Sequence, residues 1–335
     1  MASRIQQKVL ALGKAKQTSI TTIASSFLTF KQLNAQIASP MFTTENDAPE
    51  IGKGHEFATA VYPVSFETSG DLEKYGTTEF VVWAWAYALG NVAQTGSGPY
   101  AYTLTPINPG TTIELPYLTV VEQMAEGGGN SIDNAYIGCA IEEVMNEITY
   151  GAGRATHKCT VKWVGSGKLT SPSGVSAPAL TTEHHMLSGS AAITINGVDY
   201  VGTKKILSVS LGWKNNLLLN TGFFPGSGIQ SGAAIRGRLE IGARVPTFSF
   251  RARLLQASDE YTKLVAQTTG TAVVTVQYDA NDSVTWTWQQ ISYGVVVNGE
   301  ADGIVDVTVT IIPQYQSSNG VVTVTANCAI TGIGQ

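Results

Sequence analysis

The sequence predicts a mainly β protein, built as two β-sandwich or barrel bodies that each carry one flanking α-helix. The first observation behind this is a period of two. His157-Lys158-Cys159-Thr160-Val161-Lys162-Trp163-Val164 alternates strictly, and so does Phe248-Ser249-Phe250-Arg251-Ala252-Arg253-Leu254. Val284 to Gln289, Ile304 to Ile312 and Val321 to Ile330 repeat the pattern. Successive strand side chains point to opposite faces, so this alternation specifies sheets with one buried and one polar face. The strands of parallel nucleotide-binding sheets read instead as unbroken apolar runs. The second observation is a pair of hairpin signals, Asn196-Gly197 between Ile195 and Val198, and Asn298-Gly299. The third is that only one clear helical pattern stands among the strands of each half.

Composition narrows the class. A chain of 335 residues suggests two domains at roughly 150 residues each. Hydrophobic content of 43% supplies ample core. Charged residues make up 13%, about half of the ~25% usual for soluble proteins. Charge is depleted where proteins bury surface against one another, so one reading is extensive subunit contact. The other is an extracellular β-protein with a Ser/Thr/Asn/Gln surface. A net charge of −5 argues against a protein that coats nucleic acid, which needs a basic stripe. Cys139, Cys159 and Cys328 are an odd count in strand-like segments, where free thiols act as small apolar groups in a reducing compartment. No stretch reaches the ~20 apolar residues of a membrane span.

Along the chain, residues 1–50 are Ser/Thr-rich and basic at first, with no acid before Glu45. Their longest apolar run, Val9 to Leu12, is short for a secretory signal, so the segment reads as an N-terminal arm. A first body follows at 51–168. Within it Thr78 to Leu89 (TEFVVWAWAYAL) predicts a helix ending at Gly90. It is apolar on both faces and must be buried on both. Residues 169–182 (LTSPSGVSAPALTT) lack periodicity and read as a linker. The second body, 183–335, predicts a helix with Ser258 as N-cap and Gly270 as its stop. Tyr261, Leu264 and Val265 form its stripe against a sheet.

Motifs that suggest chemistry weigh against it on inspection. Gly165-Ser166-Gly167-Lys168-Leu169-Thr170 has Lys162 and Leu169 where a phosphate loop needs glycine and a hydroxyl. Asp279-Ala280-Asn281-Asp282-Ser283 starts like a calcium loop, but Val284 replaces the required glycine and Gln290 the bidentate glutamate, leaving a hairpin turn. Gly226 to Gly232 lacks a dinucleotide-site context and reads as a loop. His157 and Cys159 share a strand face with no further ligands at zinc spacing. In Glu183-His184-His185, an extended chain turns the two imidazoles apart. No Gly-x-Ser-x-Gly elbow is present, and Trp286 and Trp288 share an apolar strand face. No catalytic residue, cofactor or metal is expected.

One resemblance emerges from the order of these pieces. The apolar helix ending in glycine is followed by Gly98-Pro99-Tyr100-Ala101-Tyr102-Thr103-Leu104-Thr105-Pro106, then Leu115 to Val120, a glycine loop at Gly127 to Asn130, and a strand pair from Tyr136 to Val164. The second half closes with a short helix and a strand from Gly303 to Ile312. This order resembles the major tail tube proteins of tailed bacteriophages. The resemblance implies a structural virion protein that polymerises into stacked rings around a conduit for double-stranded DNA. It implies assembly in the host bacterial cytoplasm, with tape measure and tail terminator proteins as further partners. Four lumen strands from each half would let three chains close a ring of about 24 strands with pseudo-sixfold symmetry, wide enough for a channel; hexamers are the other expectation. DNA carries one charge per ~1.7 Å, so a wall of Lys and Arg would brake it. The expected channel lining is therefore Glu142, Glu143 and Glu147, with Glu300, Asp302 and Asp306 from the second half. Arg251 and Arg253 are expected to meet carboxylates at subunit contacts. The alternative is a secreted β-sandwich module that binds a carbohydrate or receptor.

Overall fold

A computed structural model describes the chain except for residues 1–4, 38–40, 48–54, 56, 127–130, 151–155, 171–179, 203–205, 221, 227–231, 254–258, 302–303 and 318–319. The protein is mainly β. In chain order the elements begin with β1 (Ile5–Gly13), β2 (Phe27–Thr29), β3 (Asn34–Ile37), β4 (Met41–Asn46) and β5 (Val61–Tyr75). Helix α1 (Thr78–Leu89) leads into β6 (Gly90–Thr95), β7 (Tyr100–Pro106), β8 (Leu118–Glu126), β9 (Ser131–Thr149), β10 (Thr156–Gly165) and β11 (Lys168–Thr170). Next come β12 (Leu187–Ile195), β13 (Val198–Asp199), β14 (Ile206–Lys214), β15 (Phe223–Pro225), β16 (Ala234–Arg236) and β17 (Val245–Arg253). Helix α2 (Glu260–Val265) precedes β18 (Thr269–Gln277), β19 (Ser283–Ala301), β20 (Ile304–Gln314) and β21 (Val322–Cys328).

An antiparallel run β3-β5-β10-β9-β14-β17-β20-β19 forms one broad layer. At its end β19 turns the corner. Its second half pairs with β20, whereas its first half pairs with β18 and β21. The opposite layer is β6-β7-β21-β19-β18-β12-β13. The register slips between Tyr293 and Val295, and a bulge of this kind bends a strand from one layer to the next. Inner faces meet through aromatic contacts: Trp288 stacks on Phe248 at 6.0 Å, and Trp286 lies edge-on to His157 and to Trp85.

Helix α1 spans the residues that the sequence predicts. Gly90 closes it at φ 87°, with its N–H donating to the Ala86 carbonyl. Every residue of α1 is buried. It lies between β9 on one side and β21, β7 and β6 on the other, so it is a central filling of the sandwich and not a flanking helix. An all-apolar helix has no face to offer water, which puts it inside.

Four features differ from expectation. The segment expected to be an N-terminal arm is, over its described residues, part of the sheet: β1 inserts between β2 and β8, and β3 and β4 pair with β5. The short run around Leu10 to Leu12 is a buried strand. The halves also share one sheet. β14 pairs with β9, β21 with β7, and buried residues from both halves form one cluster. Strand edges left open by one half are satisfied by the other, and the stretch 169–182 begins in β11 against β9; residues 171–179 lie outside the described residues. Helix α2 is short, with Asp259 at its N-cap position and Ala266 at its C-cap; of the predicted stripe Tyr261 and Val265 are exposed and Leu264 alone packs on the core; Ser258 lies outside the described residues. Gly270 belongs to β18 instead. Finally, Asn298-Gly299 is not a turn. β19 runs through it, and Gly299 faces Asp306, whose carboxylate oxygen would lie 2.6 Å from an added Cβ. By contrast Asn196 and Gly197, at φ 51° and 77°, make the expected turn.

Burial in this sandwich sets one pH dependence. His157 is buried, with Nε2 3.1 Å from Asn146 Oδ1. Loss of solvation pushes its pKa down to about 4 from 6.5. The folded state therefore holds a neutral imidazole while the unfolded chain takes up a proton. Stability is lost as pH falls from about 6.5 to about 4, by about 3 kcal/mol at the lower end. Urea midpoints across this window should fall more steeply for the wild-type chain than for His157→Gln; equal slopes would refute the assignment.

Candidate functional site

The outward face of the broad layer is polar because of the alternation read from the sequence. Glu143 and Glu147 on β9 point away from the core that Val144 and Ile148 enter. Basic neighbours flank them. Lys162 donates to Glu143 at 2.9 Å, Lys158 stands opposite Glu147, and Lys214 on β14 stands opposite Glu143 from the other side. One strand further, Lys158 donates to Glu73 at 2.9 Å. These carboxylates hold both ammonium groups above their usual pKa. Exposed pairs of this kind contribute under about 1 kcal/mol each, so their consequence is charge balance. Columns of acid and base alternate over β5, β10 and β9, and this part of the face is neutral-polar.

Glu142 is not on this face in the same way. Lys162 faces Glu143 but Trp163 faces Ile141, which leaves Glu142 as the extra residue of a bulge. Its Oε2 accepts the Leu217 N–H at 2.9 Å, and its carbonyl accepts from Asn215, so it anchors the loop after β14.

In the second half, Glu300 is exposed near the tip of β19, opposite Val305. Asp302 lies outside the described residues. Asp306 is buried and accepts a hydrogen bond from Arg251 of the same chain. Arg251 therefore meets its carboxylate within the chain, and Asp306 is engaged there and not free on the outer face. Arg253 is exposed, at the register position opposite Asp306.

The β19–β20 hairpin also projects apolar groups. Val295, Val297 and Ile312 are 51%, 55% and 52% exposed. From Tyr293 to Ala301, β19 pairs only with β20 among the described residues. A second exposed apolar group, Met41, Val61, Tyr62, Val64 and Phe223, lies where β4 and β5 meet β15 and β16.

The loop motifs resolve as scaffolding. Ser166 is buried and donates to the Ile137 carbonyl, while Lys168 Nζ donates to the Thr21 carbonyl. Most of Gly226–Gly232 and the loop Gly127 to Asn130 lie outside the described residues. Asp279 to Asp282 form the β18–β19 turn, with the Tyr278 N–H donating to the Asp282 carbonyl at 2.8 Å. Cys139, Cys159 and Cys328 are free and buried, and burial raises all three thiol pKa values.

One constellation escapes sequence reasoning. His184 comes to Glu79, the second residue of α1, and to Asp282 in the β18–β19 turn. Burial works against a protonated imidazole here, but the hydrogen bond and charge of Glu79, with Asp282 and Asp279, outweigh it and raise the His184 pKa. Burial likewise raises the Asp282 pKa, partly offset by His184. A glutamate at the start of an otherwise apolar buried helix was the available signal, because a carboxylate taken into such a place needs a partner.

No family model matches this chain, and curated proteins offer no significant match to it.

Proposed function

We propose that the chain is a structural subunit that assembles with copies of itself, as the tube of a phage tail does. The edge stretch of β19, from Tyr293 to Ala301, carries this reading. Among the described residues it pairs on one side only and carries exposed valines, and such edges pair readily with another chain. Its partner in this proposal is the exposed apolar group at the β4–β5 end of a neighbouring copy. A head-to-tail contact of this kind closes into a ring or extends into a filament. The charge-balanced part of the broad layer's outward face, over β5, β10 and β9 and away from the β19 edge, then lines the conduit, where balanced charge gives passing DNA no net hold. Low overall charge fits a surface largely covered by neighbours.

Negative-stain images of concentrated protein should show rings or tubes. A Val297→Lys/Ile312→Lys variant should elute as a smaller species on a sizing column while keeping its β circular dichroism. A wild-type chain that stays one small species at every concentration would overturn the proposal and favour a binding module.

A further inference from the structure

We propose that Glu79, His184 and Asp282 bind one divalent transition-metal cation, zinc(II) being the ion their chemistry fits, and that this ion ties α1 to two distant parts of the chain. The proposal does not depend on assembly. One ligand atom from each residue lies within 4.8 Å of the other two. Glu79 is fully buried and Asp282 is 7% exposed, so two carboxylates are withdrawn from water around a single imidazole. That leaves buried negative charge in excess, which a divalent cation would neutralise.

The atom that points to a ligand is Asp282 Oδ1. It is buried, has no hydrogen-bond partner, and faces His184 Nδ1 at 3.4 Å. A buried oxygen without a donor is costly and calls for an explanation. Its separation from Nδ1 matches the edge of a tetrahedron with ~2.1 Å bonds, about 3.4 Å. Glu79 Oε1 lies closer, 2.7 Å from Nδ1, and must open as an ion enters. An imidazole among the donors favours zinc and its neighbours, whereas calcium and magnesium take oxygen ligands only.

The ligands are held before any ion arrives. The His184 N–H donates to Glu79 Oε2 at 3.0 Å, and the Thr78 N–H donates to the His184 carbonyl at 3.1 Å. Asp282 is fixed by its turn, where Asp279 Oδ1 accepts its N–H at 3.0 Å. The His184 side chain is 29% exposed, so the cluster is reached from solvent on the imidazole side. On binding, Nδ1 must be unprotonated, so any proton it carries passes to solvent.

Titration calorimetry of the full chain, stripped with chelator, should show one equivalent of zinc bound, with a rise in Tm. Cobalt(II) added to the same wild-type protein should give the visible bands of a low-coordinate site, a readout that needs no variant. Asp282→Asn should weaken zinc at least about tenfold, the scale on which even outer partners of a metal matter. His185→Gln, whose imidazole is not in the cluster, should bind as wild type. Absence of zinc binding by the wild-type chain, or undiminished binding by both Asp282→Asn and His184→Gln, would overturn the proposal.

Discussion

Replacing Trp83 with aspartate is expected to leave no soluble, folded protein. Trp83 is completely buried in the middle of α1. Its ring stacks on Phe80 at 5.6 Å and meets Tyr87 at 5.6 Å, and its Nε1–H donates to the Gly13 carbonyl at 2.8 Å. Removing a buried tryptophan costs about 3–5 kcal/mol. An unpaired carboxylate in its place adds several more, against a total stability of about 5–15 kcal/mol. Trp83→Phe separates the two contributions. It keeps most of the apolar contact but leaves the Gly13 carbonyl without its donor, costing about 1–3 kcal/mol, and should fold with a lowered urea midpoint. Soluble yield, circular dichroism and urea melts check both variants. A Trp83→Asp protein that folds normally would mean that α1 does not lie inside the sandwich.

The helix was legible because its sequence leaves it one option, and the strands because alternation fixes which side chains enter the core. Val161, Trp163, Phe248, Phe250, Trp286 and Trp288 are all buried, as period two requires. Alternation assigns faces, however, and is silent about edges. Nothing in Ile206–Lys214 says that it pairs with β9 as well as β17, so the continuity of the sheet across both halves could not be read. Of the strands in the first 50 residues β2, β3 and β4 are short and β1 is not visibly alternating, so pairing in the folded sheet decides them more than pattern does. Asn298-Gly299 carried the right turn chemistry, but the glycine serves to make room for Asp306. Tyr261 and Val265 had helical spacing over too few residues to fix the face. The site was the least legible part. His184 and Glu79 stand 105 positions apart, and only the folded sheet brings α1, the 183–185 segment and the β18–β19 turn together. Glu142 and Glu143 looked equivalent in sequence until a bulge separated them, and Asp306 looked free until Arg251 covered it.

Glu183→Gln is expected to destabilise the fold by about 3–5 kcal/mol, because it strands a buried ammonium group. Lys74 sits on the core-facing side of β5, its side chain 2% exposed, and donates to Glu183 Oε1. Its Nζ lies 5.7 Å and 5.8 Å from the ring centres of Phe30 and Phe80. Burial lowers the Lys74 pKa, and the hydrogen bond and charge of Glu183 offset part of that fall. Glu183 is itself tied in, accepting from Thr77 Oγ1 at 3.0 Å and from the Lys31 N–H at 3.3 Å. The pair thus joins the N-terminal strands, β5 and the start of the second half in one place. Glutamine keeps the shape and loses the charge, so the loss measured is that of compensation for Lys74. The double variant Lys74→Met/Glu183→Leu removes both charges together. Replacing a buried ion pair with apolar groups of similar size is often neutral or stabilising, so this protein should recover most of the urea midpoint that Glu183→Gln loses. A single variant that costs under about 1 kcal/mol would place the pair in the class of solvent-exposed bridges. A double variant less stable than Glu183→Gln would show that the other hydrogen bonds to Glu183, and not its charge, hold this junction.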